Sequence, residues 1–324
     1  MRALLFAIAV LAGFPSVSLA DAAYQTDALG WLKKVAAAAH QLNYTGTYIY
    51  QYDDHVETSK ITHIKDESGE HEKIEALDGS QREMIRNNDE VMCFKPDSNA
   101  SVVVEKRKTQ MSFPALLPRD LGGIAENYRV RFAEQGRAAG RPCRVLVLEP
   151  KDQYRYRHKI WTDLGTGLLL KASTLNEKNE VIGLFTFTQI AIGGQIDKMS
   201  LKPDISGRKV VISSEAATTT ELRQNEVTWE VKHSPPGFNQ VTVMKRKMPG
   251  KEMPVQHLVF SDGLAMISVF IEPAAAGGKS MQPVVTRQGV IHVYTRMFAD
   301  HQIIVLGEVP AHTVMQIGNS VAKK

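Results

Sequence analysis

The chain has 324 residues, 43% of them hydrophobic, with 39 Lys/Arg against 35 Asp/Glu and a formal net charge of +4, a balance that excludes a disordered polyelectrolyte and suits one large or two ordinary globular domains. Two cysteines exclude a disulfide-dense mini-fold and supply neither a CxxC redox pair nor a zinc set. After the N-terminal stretch no apolar run approaches the roughly 20 residues that a membrane-crossing helix needs.

Met1-Arg2 is a short positive start, Ala3 to Phe14 an apolar stretch too short to span a bilayer, and Pro15 to Ala20 a run rich in small residues. This is the three-part layout of a cleavable signal peptide, so residues 1–20 are expected to direct export and then be removed. No cysteine follows Ala20 to carry a lipid anchor. Thr26 to Leu42 is predicted to be a helix, because Thr26 and Asp27 can cap it and Leu29, Leu32, Val35, Ala36, Ala39 and Leu42 recur at spacings of three and four. The period then changes: Tyr44, Gly46, Tyr48, Tyr50 and Tyr52 fall on one face of an extended strand. Such an aromatic wall either packs a sheet or lines a hydrophobic groove.

From there the chain reads as closely spaced strands, at 57–65, 71–78, 82–87, 90–95, 101–105, 128–133, 141–148, 154–162, 167–174 and 181–192. They are separated by turns such as Asp66-Glu67-Ser68-Gly69, Asn87-Asn88-Asp89 and Asn176-Glu177-Lys178-Asn179. That spacing predicts consecutive antiparallel neighbours in a strongly curved sheet. One apolar, proline-bounded insertion, with Phe113, Leu116, Leu117, Leu121 and Ile124, is expected to be a short helix or flap over the sheet's mouth or core. Cys93 and Cys143 sit in strand-like runs, open either to a disulfide or to two buried thiols. Residues 201–222 have the composition of a linker. A second β-rich unit, 223–324, follows, with strands at 227–231, 240–246, 255–260, 264–272, 290–297 and 302–306. It ends in a helix begun by Pro310 with a stripe of Val314, Ile317 and Val321. From Leu222 onward eleven Lys/Arg face seven Asp/Glu, which suits either an acidic partner or a solvated surface.

Catalytic chemistry finds no footing. His55, His63, His71 and Glu72 lie eight residues apart on different strands and predict no metal site, Ser261-Asp262-Gly263 lacks a nucleophile elbow, and no triad can be assembled. Gly165-Thr166-Gly167 precedes a strand where a phosphate loop needs a helix. The short basic group Arg246, Lys247 and Lys251 suits an acidic peptide, a lipid phosphate or plain solvation, and nucleic acid is not an expected partner. Neither a cofactor nor an enzymatic activity is expected.

The order and spacing of several blocks resemble the RseB/MucB family of envelope-stress regulators. These are Ala28-Leu29-Gly30-Trp31-Leu32, Asp78-Gly79-Ser80-Gln81-Arg82-Glu83, Tyr156-Arg157-His158-Lys159-Ile160-Trp161, Pro235-Pro236-Gly237-Phe238, Phe260-Ser261-Asp262-Gly263-Leu264 and Val305-Leu306-Gly307-Glu308-Val309-Pro310. The resemblance implies a mainly β (α+β) protein of the periplasm. Its large domain, residues 21–200, would be an unclosed antiparallel β-barrel packed over helices like the LolA/LolB lipoprotein carriers, followed by the linker and a smaller β-rich C-terminal domain with a terminal helix. It implies a partner, the periplasmic domain of a membrane-spanning anti-sigma factor of the RseA/MucA kind, shielded from site-1 proteolysis. Lipopolysaccharide or mislocalised lipid would favour release, and a homo-oligomer stays open. Tyr48, Tyr50, Phe113, Leu116, Leu117 and Trp161 are the candidates for a lipid groove, and Arg246, Lys247 and Lys251 for partner or phosphate contacts. The alternative is a periplasmic carrier or chaperone for lipoproteins or lipid.

Overall fold

A computed structural model describes residues 19–96, 101–108, 117–118, 120–204, 209–212, 219–223, 226–246, 253–274 and 282–324. The signal-peptide reading falls almost wholly on residues 1–18, outside the described residues. Helix α1 (Leu19–Gln41) leads into β1 (Tyr44–Tyr52), β2 (His55–Asp66), β3 (Gly69–Ala76), β4 (Glu83–Asn87), β5 (Glu90–Pro96) and β6 (Ser101–Lys108). Helix α2 (Gly122–Asn127) precedes β7 (Tyr128–Phe132), β8 (Gly136–Ala138), β9 (Arg141–Pro150), β10 (Arg157–Asp163), β11 (Leu169–Leu175) and β12 (Val181–Ile192). Then come β13 (Lys209–Ile212), β14 (Thr219–Glu221), β15 (Trp229–Val231), β16 (Asn239–Arg246), β17 (Val255–Ser261) and β18 (Met266–Pro273). The chain closes with β19 (Val284–Gln288), β20 (Ile291–Phe298), β21 (His301–Gly307), α3 (Ala311–Ser320) and β22 (Val321–Lys323).

The first sheet runs β13-β6-β5-β4-β3-β2-β1-β12-β11-β10-β9-β7, with β8 added on β9. The two ends of this path do not pair, so it is an unclosed sheet, antiparallel throughout except where β13 joins β6. Its hairpins turn where the sequence carries residues tolerant of positive φ, at Asp53, Asn88 and Asn179. Helix α1 covers one face, here called inner: Ala28, Leu32, Val35, Ala36 and Ala39 pack against Tyr48, Leu146, Leu148, Leu170, Phe185 and Phe187 in one buried cluster. Each such large side chain contributes about 1.5–3 kcal/mol on leaving water. Gly46 is required by close approach, since a Cβ there would lie 2.5 Å from the Gln189 carbonyl oxygen, beside the β1–β12 register shift at Thr47/Tyr48.

The second sheet runs β14-β16-β17-β18-β21-β20-β19, and β15 pairs with β22 beside it. Leu258, Ile267, Val269, Ile303 and Val305 on one face close against Val314 and Ile317 of α3. That stripe is the one the helical spacing predicts, with Pro310 as the N-cap and Val321 as the C-cap.

Three differences from the sequence reading have physical reasons. Helix α1 is already helical at Leu19, seven residues before the expected Thr26, because nothing between Leu19 and Thr26 breaks a helix. The expected linker contributes β13 and β14, one to each sheet: the run Val210-Val211-Ile212 has the β-branched composition of a strand, and Thr219 to Glu221 pairs with β16. Cys93 on β5 and Cys143 on β9 are free thiols, with seven strands between them on the sheet path, so the disulfide alternative is not realised.

Candidate functional site

The two sheets meet along a seam built by short local structures. On the first side are α2 and the loop 151–156 between β9 and β10. On the second are the turn from β17 to β18 and the segment Pro235 to Phe238. In that turn Asp262 Oδ1 accepts the backbone N–H groups of Leu264 (2.8 Å) and Ala265 (2.7 Å), which fixes the carboxylate. Its Oδ2 accepts from Arg155 Nε at 2.6 Å and from the Tyr128 hydroxyl at 3.1 Å. Arg155 also donates to the Pro236 carbonyl at 2.5 Å, pairs with Asp152, and lies over the Phe238 ring at 4.7 Å. Both charged side chains are fully buried. Asn127 Nδ2 donates to the Asp262 carbonyl at 3.0 Å, and a Cβ on Gly123 would fall on that same oxygen. Around the corner Asp53 receives Arg287 (2.7 Å) and the N–H of Gly289 (2.8 Å), while Thr313 Oγ1 donates to the Tyr154 carbonyl at 3.1 Å. Burial and the Asp262 charge push the Tyr128 phenol well above its ordinary range, and burial draws His158 down to about 4. The seam is an ionic latch whose buried carboxylate is fully hydrogen-bonded.

A second buried polar group lies where α1 meets β2, β3 and β4. Glu70 Oε1 takes His40 Nδ1 at 2.9 Å, His63 Nε2 at 3.2 Å and Arg86 Nη2 at 2.6 Å. Burial opposes the Glu70 charge, but those three hydrogen bonds hold its carboxyl far below the usual range. Glu72 is poorly served: its Oε2 stands 3.5 Å from Arg86, its Oε1 has no hydrogen-bond partner, and burial pushes it up to about 8. Among the described residues no group of His, Cys, Asp or Glu side chains is arranged to hold a metal ion.

The residues singled out from sequence are only partly brought together. Tyr48 is closed into the inner core against Phe185 (5.3 Å between ring centroids) and Phe187 (6.0 Å), Tyr50 is half-buried at its margin, and Leu117 joins the same cluster. Trp161 does not. Ile160 faces inward with Ala172 and Phe185, so the next residue points to the opposite face, where Lys159 and Lys171 lie 5.0 and 4.6 Å from its ring. Arg246 ends β16 half-buried, with its Nε unpartnered. Phe113, Leu116, Lys247 and Lys251 lie outside the described residues. Sequence reasoning missed the Arg155–Asp262 pair. The Ser-Asp-Gly turn could have flagged Asp262, but nothing local joins Arg155 to it, because Asp262 and Pro236 are distant in the chain and only Asp152 is near.

Comparison with known proteins agrees with this two-sheet layout. The MucB/RseB N-terminal domain matches residues 27–205 and the MucB/RseB C-terminal domain residues 223–322. The sigma factor AlgU regulatory protein MucB of Pseudomonas aeruginosa is 30% identical over 313 residues, covering 94% of this chain and 94% of that protein. The sigma-E factor regulatory protein RseB of Escherichia coli K12 is 24% identical over 335 residues, covering 99% and 98%. The crystal structure of MucB in complex with MucA(peri) superposes with a TM-score of 0.74 at 29% identity, over 92% of this chain and 99% of that one. Blocks that join at the seam, Pro235 to Phe238 and Phe260 to Leu264, thus sit in a chain that matches over both halves, and this chain belongs to the MucB/RseB family.

Proposed function

We propose that this chain is an exported regulator of an AlgU- or sigma-E-type sigma factor, a binding protein and not an enzyme. It holds the periplasmic part of a membrane-spanning anti-sigma factor of the RseA/MucA kind and hides it from site-1 proteolysis. The observation that carries the reading is the likeness across both sheets to MucB as solved with MucA(peri). A buried latch between the sheets supports it, because a surface shared by both units needs them held in one relation. The reading includes a cleavable signal in residues 1–20 and two domains, 21–200 and 223–324, joined through 201–222. It also places a lipid seat at the inner-face margin of Tyr50 and Leu117, beside the closed-in Tyr48. Lipopolysaccharide or mislocalised lipid bound there would favour release only by binding the partner-free form more tightly.

The test is protection. The mature chain is mixed with the periplasmic segment of the anti-sigma factor encoded with it, and cleavage by the matching site-1 protease is followed with and without lipopolysaccharide. Slower cleavage, restored by lipid, is expected. Absence of binding, or cleavage at an unchanged rate, would sink the reading. Lipid transfer by a chain lacking 223–324 would favour the carrier instead.

A further inference from the structure

The outer face of the first sheet, opposite α1, carries a charge pattern that neither the latch nor the inner core uses. Cross-strand register makes one row from Arg131 on β7 through Lys159 on β10 and Leu184 on β12 to Val56 on β2. The row beside it runs from Val145 on β9 through Trp161, Lys171 and Ile49 to Thr58 on β2. These residues alternate along their strands with Val130, Leu146, Ile160, Ala172 and Phe185 of the inner core, so they face away from α1. Arg131 and Val56 are exposed, and Lys159, Trp161, Lys171, Leu184 and Ile49 are half-buried.

Neither row holds a carboxylate. Both the Lys159 and the Lys171 ammonium groups stand within 5.0 Å of the Trp161 ring centroid, so they are no more than twice that apart. Among the described residues neither has an ion-pair or hydrogen-bond partner. On the flanking positions Arg129, Glu149 and Arg157, the one carboxylate is already shared by Arg157 and, at 3.8 Å, Arg131. Other acids bound the face and do not enter it. Asp163 is buried on Arg141, Glu75 pairs with Lys60 and Lys73, and Asp78 accepts the Thr58 N–H at 2.8 Å. Glu126 and Glu134 lie just before and after β7, and Glu177 and Glu180 lie in the β11–β12 turn.

Three strand spacings, roughly 14 Å, separate Arg131 on β7 from Lys171 on β11. One carboxylate cannot meet cations so spread, whereas a plane of phosphates can. Basic heads on apolar stems, with an indole and aliphatic side chains between them, match the boundary layer of a bilayer.

We propose that this face rests on the anionic phospholipid surface of a membrane, with Arg131, Lys159 and Lys171 on lipid phosphates and Trp161, Ile49, Leu184 and Val56 at headgroup level. The inference goes beyond the functional reading and does not depend on it, because the contact is between this chain and lipid alone. Such a contact would hold the chain on the surface that a membrane-spanning partner crosses.

The test is co-sedimentation of the mature chain with vesicles of phosphatidylcholine containing roughly 30% phosphatidylglycerol. Binding that weakens as salt is raised is expected, with none to phosphatidylcholine alone. Removing two cations with Lys159→Gln/Lys171→Gln is expected to weaken vesicle binding about tenfold or more, with the melting temperature unchanged. Arg131→Gln, on an exposed side chain, is expected to weaken it several-fold and decides the matter if the double variant does not fold. Lys33→Gln/Lys232→Gln removes the same charge from exposed positions elsewhere and should bind as wild type. Wild-type chain that ignores the anionic vesicles, or folded variants at Lys159, Lys171 and Arg131 that bind them as tightly as wild type, overturn the inference. So does binding of polyglutamate in place of the vesicles, which would make this a peptide surface. None of these outcomes touches the protection assay above, so the functional reading stands or falls separately.

Discussion

Two buried ionic groups among the described residues, the seam pair and the cluster under α1, are built from similar residues and behave oppositely. At the seam, Asp262 receives four hydrogen bonds, from Arg155, Tyr128, Leu264 and Ala265, so the cost of burying its charge is offset by geometry. Under α1, two glutamates share Arg86: Glu70 gains three partners, while Glu72 is left with one long contact and an unpartnered oxygen. The difference lies in the number of donors per carboxylate. The seam carboxylate is held by its donors, whereas Glu72, short of donors and pushed up to about 8 by burial, answers to protons.

The strongest way to break the contrast is Asp262→Ala, which strands the Arg155 guanidinium in the seam. It is expected to cost about 3–5 kcal/mol in urea unfolding, and the two units should then melt separately. A single transition with unchanged midpoint would show that the latch does not hold the units together. Gly123→Ala attacks the same seam sterically, because its Cβ meets the Asp262 carbonyl backbone and not a flexible side chain. A loss of about 1–3 kcal/mol is expected from overpacking, read by the same unfolding curve.

Glu72→Gln sharpens the other half. With a folded pKa near 8 against an ordinary 4.5, Glu72 binds a proton more tightly in the native chain, so its contribution to stability falls as pH rises from about 4.5 to about 8. His158 and His257, drawn down to about 4, act in the opposite sense, costing stability as pH drops below about 6.5. Between pH 6.5 and 8 Glu72 therefore dominates this set, with a slope of at most about 1.4 kcal/mol per pH unit. Melting temperatures across that window should fall for the wild type and flatten for Glu72→Gln; parallel curves would refute the assignment. The smallest effect expected is that of Tyr128→Phe, which removes one of the four hydrogen bonds to Asp262 and should cost about 1 kcal/mol in chemical denaturation.

Much of the fold is legible because its signals are local. The turn residues Asn88 and Asn179 mark reversals by their tolerance of positive φ, the alternation from Tyr44 to Tyr52 marks β1, and Val314 and Ile317 mark the buried stripe of α3. Short edge pieces such as β8 and β19 escaped notice, since three to five residues carry too little periodicity and pairing with a neighbour creates them. The candidate site was less legible. Tyr48, Tyr50 and Trp161 look equivalent as aromatic residues in strands, but strand parity and register decide which face each one serves.

Taken alone, the sequence determined the class of the molecule: the export signal expected at its start, a β-rich body in two units and a family resemblance carried by blocks dispersed along the chain. It could do so because composition, period and turn chemistry act over a few residues. Only the tertiary structure decided that Arg155 meets Asp262 across 107 positions, that Trp161 lies on the face of its strand opposite Ile160, and that His257 is buried with neither ring nitrogen hydrogen-bonded. Those outcomes depend on register and burial, which arise when distant strands pair and exclude water together.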